Sequence, residues 1–208
     1  MEDVTAFILV GGKSRRMGAD KAGLEFHGKS LLAIALELGR SLTIDVRVVG
    51  SGVTLPAGTA SSPVTMVEDI FTDHGPLGGI HAALSTGAAE FNLMLAVDMP
   101  FLSPAFLRYL LQRAREHEAM VTTPRVGGRV QPLCAVYRPG FLPGATAALT
   151  AGQNRIDALF LPERTLILEE PELAQLSFTA AMFDNLNTRA EYERACKVAG
   201  EPNGSRKS

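Results

Sequence analysis

Hydrophobic and polar positions along this chain alternate between two kinds of segment. Short apolar runs, several of them rich in β-branched residues, predict strands that are buried on both faces of a mostly parallel sheet. These runs are VTAFILV, DVRVVG, VTMVED, FNLMLAVD and AMVTTP. The segments between them repeat apolar residues every three or four positions, which predicts helices with one face against the sheet. The alternation predicts a doubly wound α/β fold, which binds ligands at the carboxyl ends of its strands.

Three helices follow from this periodicity. The segments KSLLAIALELGRSL and SPAFLRYLLQRAREH predict two core-facing sets, Leu31, Ile34, Ala35 and Leu38 in the first and Leu107, Leu110, Leu111 and Ala114 in the second. Ser103 is the predicted N-cap of the second helix, and Pro104 lies in its first turn. The third segment, GPLGGIHAALSTGA, places Ile80, Ala83 and Leu84 on one side.

After Thr123 the pattern changes. GGRVQPLCAVYRP predicts a turn followed by a strand. A helix punctuated by proline and glycine comes next, and then the loop-rich segment AGQNRIDALFLPER. The later part of the chain is therefore expected to be more irregular than the first part.

Composition and charge narrow the class of protein. The 208 residues are 46% hydrophobic, enough for a sizeable core, and carry a formal net charge of −2 with the basic residues spread along the chain. This distribution predicts no nucleic-acid partner but is compatible with a small anionic ligand. Cys134 and Cys196 show neither disulfide nor zinc-ligand spacing. The apolar runs fall far short of the ~20 residues of a membrane span, and the N-terminus lacks the pattern of a signal peptide. These two features predict a soluble, cytoplasmic protein.

One short motif suggests a P-loop nucleotide-binding site. GLEFHGKS, which begins at Gly23, fits G-x-x-x-x-G-K-[ST], and Lys29 and Ser30 would hold phosphate and metal. A P-loop also needs a buried strand that runs into its first glycine, and the residues before Gly23 are polar. The alternative interpretation is a short strand, a tight turn at His27-Gly28 and a helix N-terminus. This alternative is favoured, and a P-loop NTPase stays as a second hypothesis.

A better phosphate-binding loop lies a few residues earlier, in FILVGGKSRRMGADK. The predicted strand, residues 4–10, runs directly into Gly11 and Gly12, where glycine lets backbone N–H groups approach a phosphate closely. Basic side chains that can neutralise a polyphosphate follow at Lys13, Arg15, Arg16 and Lys21. Together these features favour a nucleotide site over a solvated basic turn.

Two acidic residues end predicted strands. Asp98 follows NLMLAV and precedes Met99 and Pro100, which stop the strand and leave the carboxylate at its tip, where it can hold Mg²⁺. Asp69 ends VTMVED as the analogous carboxylate on a neighbouring strand, and the glycine-rich GPLGG follows it. We therefore predict Asp98 as a metal ligand and Asp69 as a residue that faces the ligand.

These residues carry a resemblance to a known family. LVGGKSRRMGADK resembles the signature loop L-A-G-G-x-x-x-R-M-G-x-D-K of the molybdenum cofactor guanylyltransferases (the MobA family), members of the nucleotidyltransferase superfamily. VEDIFTDHGPLGGI, AVDMPF, RVQPLCAVY and DNLNTRAEYERA resemble further segments of that family in the same order, so the resemblance spans nearly the whole chain. The chain departs from the family at Val10, where Ala is usual, at Gly50, where many members have a nucleotide-contacting Asn, and at Arg189, where Pro is usual.

The resemblance implies a Rossmann-like, nucleotide-diphospho-sugar transferase type of sheet in a single domain over residues 1–199. The part to about residue 123 would bind the nucleotide, the later part the acceptor, and residues 200–208 would form a disordered tail. The implied enzyme depends on Mg²⁺ and transfers GMP from GTP to the phosphate of molybdopterin or its molybdenum-loaded form. Pyrophosphate leaves, and the product is the molybdopterin guanine dinucleotide cofactor. Proteins that insert molybdenum or mature molybdoenzymes are candidate partners.

The resemblance also implies roles for individual residues. Positions that match the family's nucleotide contacts are Leu9, Val10, Gly11, Gly12, Arg16, Lys21, Asp69 and Asp98. Among them Arg16 would be catalytic on the β- and γ-phosphates, Lys21 on the α-phosphate, and Asp98 on the metal. Gly11 leaves room for a purine where the related cytidylyltransferases tend to have Ala. Segments near the pterin-bearing substrate contain Gln131, Pro132, Arg155, Asn185 and Asn187.

Two further hypotheses stand beside the P-loop NTPase. A related nucleotidyltransferase would act on a different phosphorylated acceptor, and the last segments of the chain would decide between these substrates. A non-catalytic protein that retains the fold is motivated by the departures at Gly50 and Arg189.

Overall fold

The computed structural model describes residues 3–11, 21–51, 64–71, 74–87 and 89–186. Its strands are β1 (Val4–Leu9), β2 (Glu25–Phe26), β3 (Lys29–Ser30), β4 (Val46–Val49), β5 (Thr65–Val67), β6 (Phe91–Ala96), β7 (Val121–Val126), β8 (Arg129–Val130), β9 (Cys134–Tyr137) and β10 (Thr165–Glu169). Its α-helices are α1 (Leu31–Arg40), α2 (Pro76–Ser85), α3 (Pro104–Glu116), α4 (Leu142–Thr150) and α5 (Glu170–Gln175). Short 3₁₀ helices cover Lys21–Gly23, Pro139–Phe141, Asp157–Leu159, Pro162–Arg164 and Ala180–Phe183. Among the described helices, none has the length and hydropathy needed to cross a bilayer.

All of these strands except β2 and β3 form one mostly parallel sheet. Their order is β10-β7-β9-β6-β1-β4-β5, and the short β8 pairs with β7. β1 is parallel to β4 and β6, β4 is parallel to β5, and β7 is parallel to β10. β9 is antiparallel to both of its neighbours, β6 and β7. The chain builds the sheet outward from β1 to β5 and then returns to the other side of β1 with β6, which creates the switch point where such sheets bind ligands.

Helices cover both faces of the sheet, as the sequence predicts for a doubly wound fold. Along β1, Ala6 and Ile8 belong to one core together with side chains of α1, α3 and α5. Phe7 and Leu9 belong to a second core with side chains of α2 and α4. Because successive strand residues point to opposite faces, a strand covered on both sides buries every side chain. All six residues of β1 are buried.

The predicted helices α1 and α3 both form, α3 has its expected cap at Ser103, and Ser30 caps α1. Ser30 Oγ accepts a hydrogen bond from the Ala33 N–H at 3.1 Å, and Ser103 Oγ accepts one from the Phe106 N–H at 3.2 Å. Pro104 is the first residue of α3, where a missing N–H leaves no gap in the helix. The predicted core positions of both helices are buried, apart from the half-buried residue 34. The sequence prediction of these two helices is confirmed.

Helix α2 is buried on every side rather than along one face. Residues 77–84 are all buried, beyond the three positions that the sequence predicts on one side. The helix lies between the sheet and α4, so it contacts protein on both sides. A Cβ on Gly79 would lie 3.0 Å from Cδ2 of Leu9, so this glycine allows α2 to approach β1 closely. The glycines that weaken the helical pattern are therefore packing positions.

The pattern of the sequence does not predict β10 or α5. β10 lies at the edge of the sheet, and its first three residues, Thr165, Leu166 and Ile167, are only half-buried. Strand β7 also continues past Pro124 to Val126, two residues beyond the predicted run. An edge strand needs no continuous apolar run, because the backbone groups along its outer edge and part of one face remain solvated.

The GLEFHGKS segment is not a P-loop. Gly23 ends a 3₁₀ helix, and β2 and β3 then form an antiparallel hairpin whose turn residues His27 and Gly28 have φ of 52° and 74°. Positive φ at both turn residues is the geometry that joins two strands tightly. Nζ of Lys29 binds the Glu37 carboxylate on α1 at 2.7 Å. The interpretation as a strand, a turn and a helix start is confirmed, and the P-loop hypothesis is wrong.

Removing a helix cap tests this account of α3. We expect Ser103→Ala to lower the free energy of unfolding by about 1 kcal/mol, because the Phe106 N–H loses the serine oxygen. Ser103→Asp keeps an acceptor at the N-cap and is expected to retain most of that stability. Urea denaturation with an unchanged m-value measures the difference. Equal destabilisation by both substitutions would contradict the capping role.

Candidate active site

The carboxyl ends of four parallel strands meet in one row across the sheet. The row consists of Val67, Val49, Leu9 and Ala96, which are partners in successive ladders. Neighbouring strands are about 4.8 Å apart, so the residues that follow these ends project from one edge of the sheet. Gly11, Asp69 and Asp98 each lie two positions beyond the row. Three of the residues predicted to bind nucleotide therefore share this edge.

The loop after β1 begins in the middle of this edge. The Val10 N–H donates to the Val49 carbonyl at 2.8 Å, and the Val97 N–H donates to the Leu9 carbonyl at 3.2 Å. Leu9 and Val10 are therefore held between β4 and β6, and both are buried. Gly11 is exposed, and a Cβ there would meet no atom of another described residue within 4 Å, its chain neighbours aside. Within the described part of the chain, nothing therefore crowds the position of a side chain at Gly11.

Part of the predicted phosphate site lies outside the described residues. This holds for Gly12 and Arg16, and for the side chain of Lys21. The backbone of Lys21 begins the 3₁₀ helix Lys21–Gly23. Ala22 in that helix is fully buried in the same core as α1, so the chain at Lys21 is anchored beside the start of that helix. The phosphate-binding roles of Arg16 and Lys21 stay predictions.

Asp98 lies at the tip of β6 and is half-buried. Its backbone carbonyl accepts a hydrogen bond from the Leu186 N–H at 2.9 Å, and the Leu186 side chain is buried. This contact brings the exposed Asn185 beside Asp98, whereas Asn187 lies outside the described residues. The later part of the chain therefore returns to the edge where β6 ends.

A single carboxylate at a strand tip suits Mg²⁺. This ion takes one or two carboxylates and fills its other positions with water and phosphate oxygens. The residues that the structure describes contain no group of three or more His, Cys, Asp or Glu side chains that could hold a metal ion by themselves. Asp98 can supply one such carboxylate at the tip of β6, and its role as a magnesium ligand stays a prediction.

Asp69 follows β5 and is half-buried. Its Oδ1 accepts a hydrogen bond from the Phe71 N–H at 3.0 Å. Gly78, in the first turn of α2, lies against the carboxylate, and a Cβ there would be 2.9 Å from Oδ1. Burial raises the pKa of Asp69, while the Phe71 N–H and the nearby His74 and His81 act in the opposite direction. The carboxylate is held in place and only partly solvated.

Asp69 and Asp98 do not lie on neighbouring strands, so this part of the sequence prediction is wrong. β4 and β1 separate β5 from β6. Three spacings of about 4.8 Å put the two strand ends roughly 14 Å apart. Parallel strands are joined by crossovers, so their order in the sheet differs from their order in the chain. The two carboxylates flank the loop after β1 and would contact different parts of a ligand.

Aromatic rings behind Asp69 are a part of the site that the sequence pattern does not reveal. The Phe71 ring meets the rings of His74 and His81 edge to face, at centroid distances of 5.8 Å and 4.9 Å. His81 Nε2 lies 3.1 Å from Thr146 Oγ1 on α4. Burial lowers the pKa of His81, and the negative charge of Asp69 opposes that shift. These contacts brace the Asp69 side of the site against α4.

Gln131 and Pro132 lie on the side of β6 that faces away from β1. The Ala96 N–H donates to the Leu133 carbonyl at 2.8 Å, which holds this segment next to the end of β6. The Pro132 carbonyl accepts a hydrogen bond from the buried Tyr137 hydroxyl at 2.9 Å. The segment with Gln131 and Pro132, both predicted to bind the acceptor substrate, is therefore fixed beside the end of β6.

A groove continues from Pro132 across the sheet. Its volume is about 940 Å³, and residues of β7, β8 and β10 and of the loop after α4 line it. Asp157 is one of these lining residues, and Arg155 is not. Arg155 is instead exposed and pairs with Asp157 at 2.7 Å. Arg155, which is predicted to contact the substrate, therefore lies at the rim of the groove and not in its wall.

An open, mostly parallel sheet with a glycine-containing loop at its switch point is the architecture of α/β nucleotide-binding proteins. Within that class, the model of the family described as MobA-like NTP transferase domain matches residues 6–165. The chain belongs to this nucleotidyltransferase family.

Relatives of similar length support the assignment. The chain is 32% identical over 199 residues to a probable molybdenum cofactor guanylyltransferase of Pelotomaculum thermopropionicum, and the match covers 96% of this chain and 95% of the relative. It is 33% identical over 190 residues to the molybdenum cofactor guanylyltransferase of Syntrophotalea carbinolica, which covers 91% of this chain and 89% of that protein.

Solved structures share the fold. Molybdopterin-guanine dinucleotide biosynthesis protein A from Archaeoglobus fulgidus is 22% identical, with a TM-score of 0.78 over 94% of this chain and 98% of that one. 2-C-methyl-D-erythritol 4-phosphate cytidylyltransferase from Thermus thermophilus is 16% identical, with a TM-score of 0.67 over 93% of this chain and 97% of that one. The α/β fold is therefore that of nucleotidyltransferases.

Replacing Asp69 tests the cost of burying its charge. Because its pKa is raised in the folded state, the native protein binds this proton more tightly than the unfolded chain does. Its contribution to stability is therefore greatest in acid and is lost as the pH rises through the raised pKa. We expect Asp69→Asn, which keeps an oxygen for the Phe71 N–H, to stabilise the protein at neutral pH and to lose that advantage in acid.

Asp45→Asn is the matched control for urea denaturation across a range of pH. A hydrogen bond from Arg47 holds the pKa of Asp45 below its ordinary value, so this carboxylate stabilises the fold above the unfolded-state pKa and ceases to do so in strong acid. Asp45→Asn is therefore expected to destabilise the protein at neutral pH. The same pH dependence in both variants would contradict the account of Asp69.

Proposed function

We propose that the protein is a molybdenum cofactor guanylyltransferase, which transfers GMP from GTP to the phosphate of molybdopterin or its molybdenum-loaded form and releases pyrophosphate. The observation that carries the proposal is the position of the loop after β1, which leaves the sheet between Asp69 and Asp98 at the edge where four strand ends align. Relatives named molybdenum cofactor guanylyltransferase support the choice of nucleotide and acceptor.

The reaction joins two phosphates, so it requires mainly charge neutralisation and in-line positioning. An oxygen of the acceptor phosphate attacks the α-phosphorus of GTP and forms a new P–O–P linkage. The bond from the α-phosphorus to the bridging oxygen of the β-phosphate breaks, and pyrophosphate leaves with the electron pair. The protein needs no covalent nucleophile for this step.

Asp98 is the residue that would hold Mg²⁺, because it lies just past the end of β6, on the strand next to β1, and its backbone contacts the neighbour of Asn185. When bound, Mg²⁺ neutralises phosphate charge and polarises the phosphoryl group under attack. Arg16 would hold the β- and γ-phosphates and Lys21 would meet the charge at the α-phosphate, as the family resemblance implies. These cations would let two anionic substrates approach each other.

The base and sugar of GTP would lie toward Asp69. Its carboxylate accepts hydrogen bonds only, so it suits N–H or O–H groups of the nucleoside. The contact with the Phe71 N–H holds it in place before the ligand arrives. None of the described residues crowds Gly11, which would suit a purine at the end of β1. The acceptor would approach from the opposite side, past Gln131 and Pro132.

Nucleotide binding separates the loop after β1 from the GLEFHGKS motif. We expect Lys21→Ala to weaken Mg²⁺-GTP binding at least about tenfold, because a phosphate loses a charge-assisted contact worth about 1.5–3 kcal/mol. Lys29→Ala serves as the matched control, since its ammonium group is paired with Glu37 on α1. Titration calorimetry with GTP, and with CTP as the second ligand, measures both variants. A larger loss of GTP affinity from Lys29→Ala than from Lys21→Ala would contradict the assignment of the nucleotide site.

Asp98 is tested by the reaction itself. We expect Asp98→Asn to slow Mg²⁺-dependent pyrophosphate release from GTP and molybdopterin at least about a hundredfold, because charge stabilisation at the reacting phosphates is lost. Glu118→Gln, at an exposed position after α3, is the control for loss of a carboxylate elsewhere. Coupled detection of pyrophosphate measures the rate.

The same assay decides among the remaining functions. Release of pyrophosphate only with a different phosphorylated acceptor would favour a related nucleotidyltransferase. A wild-type protein that binds Mg²⁺-GTP but releases no pyrophosphate with any acceptor would favour a non-catalytic role. An unimpaired Asp98→Asn variant would refute the metal-binding role of Asp98.

A further inference from the structure

We infer that Asp157, rather than the neighbouring Arg155, contacts the heterocycle of the acceptor, and that it recognises the 2-amino-4-oxo edge of a pterin. Arg155 acts through Asp157 as a positioning residue. The inference rests on the proposed function, since it specifies how the acceptor of that reaction is recognised.

The groove beside the active site has the size and the walls for a flat heterocycle. Its volume of about 940 Å³ lies within the range of small-molecule sites. Phe160 lines the groove, and its ring packs against the rings of Tyr137 and Phe141 at centroid distances of 6.4 Å and 6.2 Å. A ring that is fixed from behind in this way offers a stacking surface for another aromatic ring.

Asp157 is held in place at the wall of this groove. Its neighbour Ile156 is buried in the core beneath α4, and the Phe160 N–H donates to the Asp157 carbonyl at 3.2 Å. Arg155 contacts both carboxylate oxygens, Nε to Oδ1 at 3.3 Å and a terminal nitrogen to Oδ2 at 2.7 Å. The hydrogen bond from Arg155 lowers the pKa of Asp157, so the carboxylate is ionised at neutral pH.

The chemistry of the two side chains decides which of them can bind a pterin edge. The N3–H and the 2-amino group of a pterin are adjacent donors, and a carboxylate accepts two such hydrogen bonds at once. Arg155 cannot accept any, because a guanidinium group only donates. An ionised carboxylate has about four lone-pair sites. Arg155 occupies one on each oxygen, and the backbone N–H groups of Asp157 and Ala158 also act on the carboxylate. The Asp157 side chain is 46% exposed, so lone pairs on its solvent side remain for a ligand. The ion pair therefore orients Asp157 without blocking it.

Charge and position connect the groove with the reaction. Arg125 is neutralised by Glu169 at 2.7 Å, whereas no acid in the described part of the chain pairs with Arg129, which also lines the groove. An unneutralised cation suits an acceptor that is an anion. Pro132 borders the groove and lies beside the strand end that carries Asp98. A heterocycle in the groove and a phosphate near Asp98 can therefore belong to one molecule.

The test compares two ligands that differ at the recognised edge. The probes are 6-hydroxymethylpterin and 6-hydroxymethyllumazine, which carries an oxo group in place of the 2-amino group, and their fluorescence reports binding to the full chain without nucleotide. We expect the wild-type protein to prefer the pterin by about tenfold, because the lumazine sets an oxygen against the carboxylate. Asp157→Asn should reduce this preference to about one, since an amide can donate to the oxo group.

Two further variants separate recognition from structural damage. Glu163→Gln removes a carboxylate from the same loop at an exposed position that does not line the groove, and it should leave the preference unchanged. Arg155→Gln should reduce the preference in part, because Asp157 remains but is no longer oriented. A merely structural effect would weaken both ligands equally and leave their ratio as it is in the wild type.

Guanine shares the 2-amino-4-oxo edge, so the nucleotide itself is the second source of this chemistry. Saturating Mg²⁺-GTP should leave pterin binding in place, since the two ligands occupy different sites. Displacement of the pterin by GTP, together with weaker GTP binding in Asp157→Asn, would assign the groove to guanine and overturn the inference. A wild-type preference that survives Asp157→Asn, or no pterin binding up to the solubility limit, would overturn it as well.

Failure of the inference is distinguishable from failure of the proposed function. If the wild-type protein binds Mg²⁺-GTP and releases pyrophosphate with molybdopterin while the pterin preference does not depend on Asp157, only the inference fails. If the wild-type protein neither binds Mg²⁺-GTP nor releases pyrophosphate, the proposed function fails whatever the pterin result.

Discussion

The parallel pairing of β1 with β4 on one side and β6 on the other is the constraint on which the rest of the structure depends. Its ladders place the ends of these strands in one row, and β5 extends the row through β4. Because both faces of β1 are buried, a shift of its pairing register by one residue would turn every β1 side chain toward the opposite core. The loop at Gly11, Asp69 and Asp98 therefore have fixed positions relative to one another along this edge.

The strand order gives the two sides of the candidate site different surroundings. Asp69 is enclosed by Phe71, by His81 of α2 and by the close approach of Gly78, and α4 supports this group from behind. Asp98 lies where the later part of the chain returns to the sheet, at its backbone contact with Leu186. Under the proposed function, the enclosed side would recognise the nucleoside, and the side where the later chain returns would bring the acceptor to the phosphates.

Two carboxylates near the candidate ligands have opposite electrostatic environments. Burial raises the pKa of Asp69, and its nearest donors only partly compensate. The guanidinium group of Arg155 lowers the pKa of Asp157 at an exposed position. A carboxylate that is partly desolvated before a ligand binds costs stability, and functional sites commonly tolerate such costs. The ion pair at Asp157 has a different effect, because it orients a group that remains accessible to a ligand.

Features that arise from a few neighbouring residues were determined by the sequence itself. The caps at Ser30 and Ser103, the tight turn at His27-Gly28 and the alternation of strands and helices depend on local hydrogen bonding, backbone preference and periodicity. Only the tertiary structure decided the strand order, the separation of Asp69 from Asp98 and the burial of α2 on every side. The pairing of Arg155 with Asp157 at the groove also emerged only there. Except for that pair, these features join residues that are distant in the chain, and local pattern contains no information on which distant segments will pack together.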